Sequence, residues 1–252
     1  MRFASLGSGS KGNGTLVEYG DEVLLIDCGF SAKEAVLRLA KLGKTADQIT
    51  AILVTHEHGD HIRGVPALAR KFNLPVYITP GTFKVKDLGK MPAIHFIEGY
   101  QAFSIGAFAI QPVAVPHDAR EPAQFVISAA GKTLGILTDL GMITAHVEES
   151  YQHCDALVLE ANHDPVMLAY SAYPQSLKQR VGGPWGHLSN QQSASFLAQL
   201  DVTRLQHLVI AHISQKNNSL EAARSVLDAV SQGARQVIYA CQEEGFDWLE
   251  LV

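Results

Sequence analysis

Seven residues, THEHGDH at 55–61, restrict this chain more than any other stretch in it. His56, His58, Asp60 and His61 present four imidazole or carboxylate groups within six residues. Ile52, Leu53 and Val54 come just before and read as a buried strand ending over 52–55. A strand end followed by a loop is a rigid base that exposes polar side chains. Residues two apart in an extended loop point the same way, so His56 and His58 can chelate one ion. Asp60 and His61 then turn toward a second. Zinc, manganese and iron all accept such donors. A polar turn without metal would leave four crowded groups with nothing to offset their desolvation.

Four more chemistry-bearing residues end apolar runs: Asp27 in LLIDCG, His117 in VAVPHDA, Asp139 in GILTDLG and His212 in LVIAHIS. The chain has 252 residues, 47% hydrophobic and 18% charged, enough for a sizeable core in one large domain or two small ones. No apolar run reaches the length of a membrane span, so no membrane partner is expected. The N-terminus lacks the pattern of a secretion signal. The three cysteines are far apart, which argues against a disulfide framework or a Cys-type zinc site and for a reducing cytoplasm. The net charge of −5 gives no global basic field, a mild argument against a nucleic-acid substrate. A bound metal would add positive charge that this count omits.

Gly7, Gly9 and Gly12 match the G-x-G-x-x-G pattern of dinucleotide sites. Such a loop must open a helix. Here Asn13-Gly14, a hairpin signal, leads into two apolar runs, TLVEYG and DEVLLIDCG, that read as strands. The pattern therefore predicts a loop between strands. Further on, Ser31 and Glu34 predict a capping box for a helix ending near Gly43, and the apolar period predicts a helix over 62–72. Strands are expected at 75–78, 94–97, 101–115, 123–129, 133–138, 156–160, 207–211 and 236–240, with another near the C-terminus. Helices are expected at 144–153, at 164–181 with a break at Pro174, from a Ser189/Gln192 capping box to about 200, and from 218–221 to about 233.

The run H-x-H-x-D-H, with the later strand-end residues in the same order, resembles the metallo-β-lactamase fold superfamily over roughly residues 5–215. The resemblance implies an α/β fold, a four-layer αββα sandwich, in one hydrolase domain over residues 1–252. It implies two divalent metals, zinc or manganese, with iron also compatible. His56, His58 and His117 would hold the first, Asp60, His61 and His212 the second, and Asp139 would bridge them. Asp27 would orient ligands by hydrogen bonds. Asp139 stands where the β-lactamases themselves use a cysteine, which argues against that activity. The WGHLSNQQS and AHIS segments resemble the tRNA-processing endonuclease branch. In that branch an extra histidine, here His187, protonates the leaving oxygen, helped by a carboxylate, here Glu160.

LGSGSKGN, VPHDA, LEANHD, GHLSN and AHIS-x-x-NN together resemble the YycJ/WalJ group, small bacterial proteins described as 5′-to-3′ exonucleases acting on DNA. The resemblance implies a metal-dependent phosphodiesterase for single-stranded or end-containing DNA. A metal-bridging hydroxide would attack phosphorus, with Asp60 orienting the water and His187 and Glu160 serving the leaving group. In this fold the first hairpin loop lies near the metals. Ser8, Ser10, Lys11 and Asn13 could then grip a neighbouring phosphate, or the glycines could simply fit a tight turn. His163 could contact substrate, while Asp164 fits a helix cap. Lys178 and Arg180 are candidate phosphate contacts, and Tyr170, Tyr173 and Trp185 candidate base platforms, though aromatics on helices more often pack. Two rivals stand beside the nuclease. A hydrolase of thioesters, lactones or cyclic phosphodiesters suits the acidic charge. A non-catalytic metal-stabilised binding module fits a complete ligand set poorly.

Overall fold

The computed structural model describes residues 1–85 and 87–252. Strands β1 (Arg2–Gly7), β2 (Gly14–Tyr19), β3 (Glu22–Ile26), β4 (Ala51–Leu53), β5 (Pro75–Ile78) and β6 (Ala93–Phe96) run through the first part of the chain. Next come β7 (Phe103–Ile105), β8 (Phe108–Ala114), β9 (Ala123–Ala129), β10 (Lys132–Leu137), β11 (Ala156–Glu160), β12 (His207–Ala211), β13 (Val237–Tyr239) and β14 (Phe246–Glu250). They form two seven-stranded sheets, ordered β14-β1-β2-β3-β4-β5-β6 and β13-β12-β11-β10-β9-β8-β7. The last strand thus returns to pair antiparallel with the first.

Adjacent side chains on a strand face opposite ways, so a strand covered on both sides reads as a continuous apolar run. In β3, Leu24 and Ile26 pack into the core between the sheets, while Leu25 packs outward under helices. Phe3, Phe108, Phe125 and Ile136 join the inner core. The outer face of the first sheet is covered by α1 (Ala32–Lys41) and α3 (Val65–Phe72), which follows the single turn α2 (Gly59–Ile62). The chain continues through α4 (Pro80–Val85), α5 (Ala145–Tyr151), α6 (Pro165–Tyr170), α7 (Gln175–Val181), α8 (Asn190–Leu197) and α9 (Leu220–Leu227). Of these, α5, α8 and α9 cover the second sheet, completing four αββα layers. No helix among the described residues is long and apolar enough to cross a membrane.

The predicted elements occur with shifted ends. The 62–72 helix is two pieces, broken where Gly64 passes the Phe30 carbonyl; a Cβ there would lie 2.0 Å from that oxygen. The 101–115 strand is a hairpin, β7 and β8, and the last helix stops at Leu227. Ser31 caps α1, but Glu34 turns to Arg38 at 2.7 Å instead of closing a capping box. An i,i+4 ion pair competes for the same carboxylate, and the Arg38 guanidinium is fixed 4.3 Å above the Phe30 ring. The Ser189/Gln192 box forms in full, with bonds of 3.2 and 2.9 Å.

The topology brings several strand ends to one edge. β3 is parallel to β4, and β10, β11 and β12 are mutually parallel. Asp27 follows β3, Asp139 follows β10, Glu160 ends β11 and His212 follows β12. Asp27, Asp139 and His212 each take a left-handed backbone, with φ of 61°, 56° and 52°. Such a conformation costs roughly 1–2 kcal/mol for a residue with a Cβ. Strain of this kind is held where surrounding structure over-determines it, commonly at functional sites.

Candidate metal centre

His56, His58, Asp60, His61, His117, Asp139 and His212 converge at this edge. His56, His58 and His117 place one donor atom each within 4.8 Å of one another, as do Asp60, His61 and His212. Asp139 falls within the same span of His56 and His61. Within this cluster three buried atoms, His56 Nε2, Asp139 Oδ2 and His212 Nε2, have no hydrogen-bond partner. Buried polar atoms are nearly always paired. Unpaired nitrogen and carboxylate oxygens among histidines are the donor set a divalent cation takes, so the residues fit such an ion.

The opposite ring nitrogens of His56, His61, His117 and His212 are engaged, which sets the direction of those four imidazoles. Thr55 donates its hydroxyl to Asp27 at 2.7 Å, leaving its oxygen to accept from His56 Nδ1 at 2.9 Å. His61 donates Nδ1–H to Asp27 at 2.8 Å. His117 donates Nδ1–H to the Gly186 carbonyl at 3.0 Å, and its Nε2 lies 3.2 Å from His58 Nδ1. His212 donates Nδ1–H to Glu160 Oε1 at 2.8 Å. A histidine held through one nitrogen presents the other as a lone pair in a fixed direction.

Glu160 is fully buried and its carboxylate is saturated. Oε1 accepts from His212 and also from His187 Nδ1, each at 2.8 Å. Oε2 accepts the Leu188 and Leu140 amides at 3.0 and 3.3 Å. Burial opposes its ionisation, but His187 and the hydrogen bonds from both histidines overcome it and hold its pKa at about 2. Burial likewise opposes charge on His212, yet Asp139, Asp60 and Glu160 outweigh it and push its pKa up to about 10. Burial and the neighbouring His61 push His56 well below the usual imidazole value. Burial resists ionisation of Asp139, but His212 and His61 keep its carboxyl well below the carboxylate range.

Below about pH 10 a proton on His212 therefore occupies the Nε2 lone pair that a cation needs. Metal loading of apoprotein at pH 7.5 releases protons, and apparent affinity rises with pH up to that value. Calorimetric titration in buffers of different ionisation enthalpy measures this; buffer-independent heats would contradict it. A second expectation concerns Asp27, which accepts from the Thr55 amide and hydroxyl and from His61. Asp27→Ala lowers metal affinity about 10- to 100-fold, as losses of outer-shell partners do. Competition with a chromophoric chelator reads this directly.

The remaining predicted residues are placed unevenly. The glycine-rich loop does lie against the cluster, but its polar groups mostly face inward. Ser8 accepts the His212 amide at 2.8 Å. Asn13 donates to His61 Nε2 at 3.0 Å and to Asp60. Gly29 makes this approach possible, since a Cβ there would lie 1.7 Å from the Asp60 carbonyl oxygen. The amides of Ser8, Gly9, Lys11, Gly12 and Asn13 all donate within the protein, two of them to the distant Cys241 and Gln242. A backbone cradle for phosphate is thus already used up at those positions. Ser10 lines the cleft above the cluster, and Lys11 is exposed, 3.6 Å from Glu243. His163 is buried outside that cleft, lining a separate hollow with Lys178 and Gln192, and burial lowers its pKa to about 4. Asp164 caps α6 through the Val166 and Met167 amides.

Sequence reasoning passed over Thr55, Asp118 and the sharing of Glu160. Thr55 and Asp118 each adjoin a named histidine in sequence, which was the available signal. Asp118 lies 3.7 Å from His58 and 3.5 Å from His117. The cleft has a volume of about 350 Å³ and its walls include His58, Asp60, Asp118, Arg180 and His187.

Residues 23–213 match the family model described as a beta-lactamase superfamily domain. The exodeoxyribonuclease YycJ of Bacillus anthracis is 34% identical over 91% of this chain and 89% of its own length. The exodeoxyribonuclease WalJ of Streptococcus pneumoniae is 33% identical over 90% of this chain and 87% of its own. Among solved structures, the metallo-beta-lactamase fold protein YhfI from Bacillus subtilis superposes with a TM-score of 0.75 at 18% identity, covering 98% of each chain. That likeness speaks for the fold, and the two sequence matches for the lineage. The chain belongs to the metallo-β-lactamase superfamily of metal-dependent hydrolases, in the group of YycJ and WalJ.

Proposed function

We propose that the chain is a dinuclear phosphodiesterase that removes nucleotides from DNA ends as a 5′-to-3′ exodeoxyribonuclease. The observation that carries this reading is the shared Glu160 oxygen, which ties His187 to His212 through one carboxylate. His56, His58 and His117 would hold one ion, Asp60, His61 and His212 the other, with Asp139 between them. When bound, zinc or manganese would supply an activated water and neutralise charge building on the phosphate.

The chain's own residues do the rest. Asp60, partly exposed in the cleft and held by Asn13, orients the incoming water. His187 is anchored through Nδ1, so its other nitrogen is the one left to meet a leaving oxygen. Burial opposes its protonation, but Glu160 outweighs this and raises its pKa. A histidine protonated near neutral pH is a competent general acid. The exodeoxyribonuclease names of the YycJ and WalJ relatives favour DNA as substrate, and the polarity is the one their group's resemblance implies. The cleft joins Tyr173, Leu177 and Val181 to histidines, carboxylates and one arginine, and its charged groups suit a charged ester.

The test is cleavage of end-labelled single-stranded DNA and its RNA twin, with manganese or zinc, beside Asp139→Ala. Metal-dependent shortening from the 5′ end, absent in the variant, is the expected result. Inertness toward both strands with metals shown to be bound would transfer the assignment to a small ester or cyclic phosphodiester.

A further inference from the structure

Arg180 is the only lysine or arginine among the described residues that line the cleft, where it faces Asp60, Asp118 and Asp139. It stands in the last turn of α7 and is half exposed. Its guanidinium pairs with Asp118, a carboxylate that also sits beside His58 and His117. Arg180 and Asp60 line the same cleft, and the Asp118 hydrogen bond, with Asp60 adding to it, raises the Arg180 pKa. Two other nearby cations are committed elsewhere, while Lys216 lies over the Tyr173 ring at 5.5 Å. Lys178 donates to the Ala169 carbonyl at 2.6 Å, and Lys11 faces Glu243.

We propose that Arg180 is the phosphate-recognition residue of this cleft. It rests on Asp118 in the free protein and passes to a phosphate adjacent to the scissile one when a nucleic-acid strand enters. This rests on the phosphodiesterase reading above.

Three physical points support the exchange. Guanidinium matches carboxylate and phosphate with the same planar fork of donors, so one partner can replace the other without rebuilding the donor geometry. The pair is solvent-accessible on the Arg180 side, and exposed ion pairs contribute little to stability, so leaving Asp118 is inexpensive. The cleft volume of about 350 Å³ sits at the small end of ligand sites, which suits a single nucleotide unit at the metals with its neighbour's phosphate at the rim. Tyr173 is also in the cleft wall and offers a ring to that unit. Asp118 then acts as a placeholder. It keeps the arginine extended over the cleft until a phosphate takes its place.

The experiment is a cycle between residue and substrate, on the metal-loaded full chain. Oligodeoxynucleotides carry one neutral methylphosphonate at successive positions from the labelled end. In the wild-type protein, neutralising the phosphate next to the scissile one lowers kcat/KM about 10- to 100-fold, the scale of a charge-assisted hydrogen-bonded pair. In Arg180→Ala the same neutralisation has an effect within about twofold, because the partner is already gone. Arg180→Lys restores part of the sensitivity, since a point charge replaces the fork. Equal sensitivity at every position in wild type and Arg180→Ala overturns the assignment of Arg180 while leaving the nuclease reading standing. A wild-type protein that binds its metals but cleaves none of these strands overturns the nuclease reading itself.

Discussion

Asp139→Ala is expected to reduce hydrolysis about 10³-fold or more and, on the proposed dinuclear reading, to lower bound metal from two ions per chain to one or none. The size follows from removing a charge at the point where both donor sets meet, since loss of one electrostatic stabiliser alone costs about 10²–10³-fold. Asp139 is 2% exposed, its Oδ2 has no hydrogen bond and lies 3.3 Å from His61 Nε2, and its Oδ1 lies 3.2 Å from His212. Its left-handed backbone, φ 56°, is tolerated by Asn as well as by Asp. Asp139→Asn therefore separates charge from shape. It should keep the fold and still lose metal. Elemental analysis beside turnover decides the matter, and a variant retaining two ions and full activity would remove Asp139 from the bridging position.

Glu160→Gln is the second large effect, and it has three separable parts. A neutral amide cannot accept from two imidazoles at one oxygen with the same strength, and its NH2 meets backbone amides that are themselves donors. Breaking a buried charged network by changing one member costs about 3–5 kcal/mol in unfolding free energy. His212 loses the acceptor that fixes its ring, so metal affinity falls about 10- to 100-fold. His187 loses the carboxylate that raises its pKa. The sign is therefore downward: on the proposed mechanism His187, as general acid, gives up its proton at lower pH, and the alkaline limb of the kcat profile moves toward acid. A purely structural Glu160 would lower stability and activity while leaving that limb in place, so the pH profile is the decisive readout.

These two residues also mark how far the chain's local pattern reaches. Asp139 could be singled out from sequence because it ends an apolar strand in register with other strand-end residues. Glu160 could be paired with His187 because each adjoins a recognisable segment. That one oxygen of Glu160 also holds His212 was not legible, since the three residues lie on segments more than 20 residues apart and meet only where the strands end together. The opening loop gave the opposite lesson. Its glycines and polar residues left a phosphate grip and a tight turn both open, and the fold spends most of those groups on contacts within the protein. Gln242, contributed from 231 residues away, takes the Lys11 amide.

Two kinds of information separate here. The sequence by itself determined what depends on near neighbours along the chain. The H-x-H-x-D-H donors are close in space because they are close in sequence. Doubly apolar strands announce burial on both faces, and Ser189 with Gln192 announces a helix start three residues long. Tertiary structure alone decided everything that depends on which strand lies beside which. The return of β14 to β1, the strained backbones at Asp27, Asp139 and His212, the Thr55–Asp27–His61 chain and the Arg180–Asp118 pair all arise from that packing. The physical reason is range. Propensity, capping and chelate spacing act over a few residues, whereas the orientation of a buried imidazole is set by whatever polar group the packing places behind it.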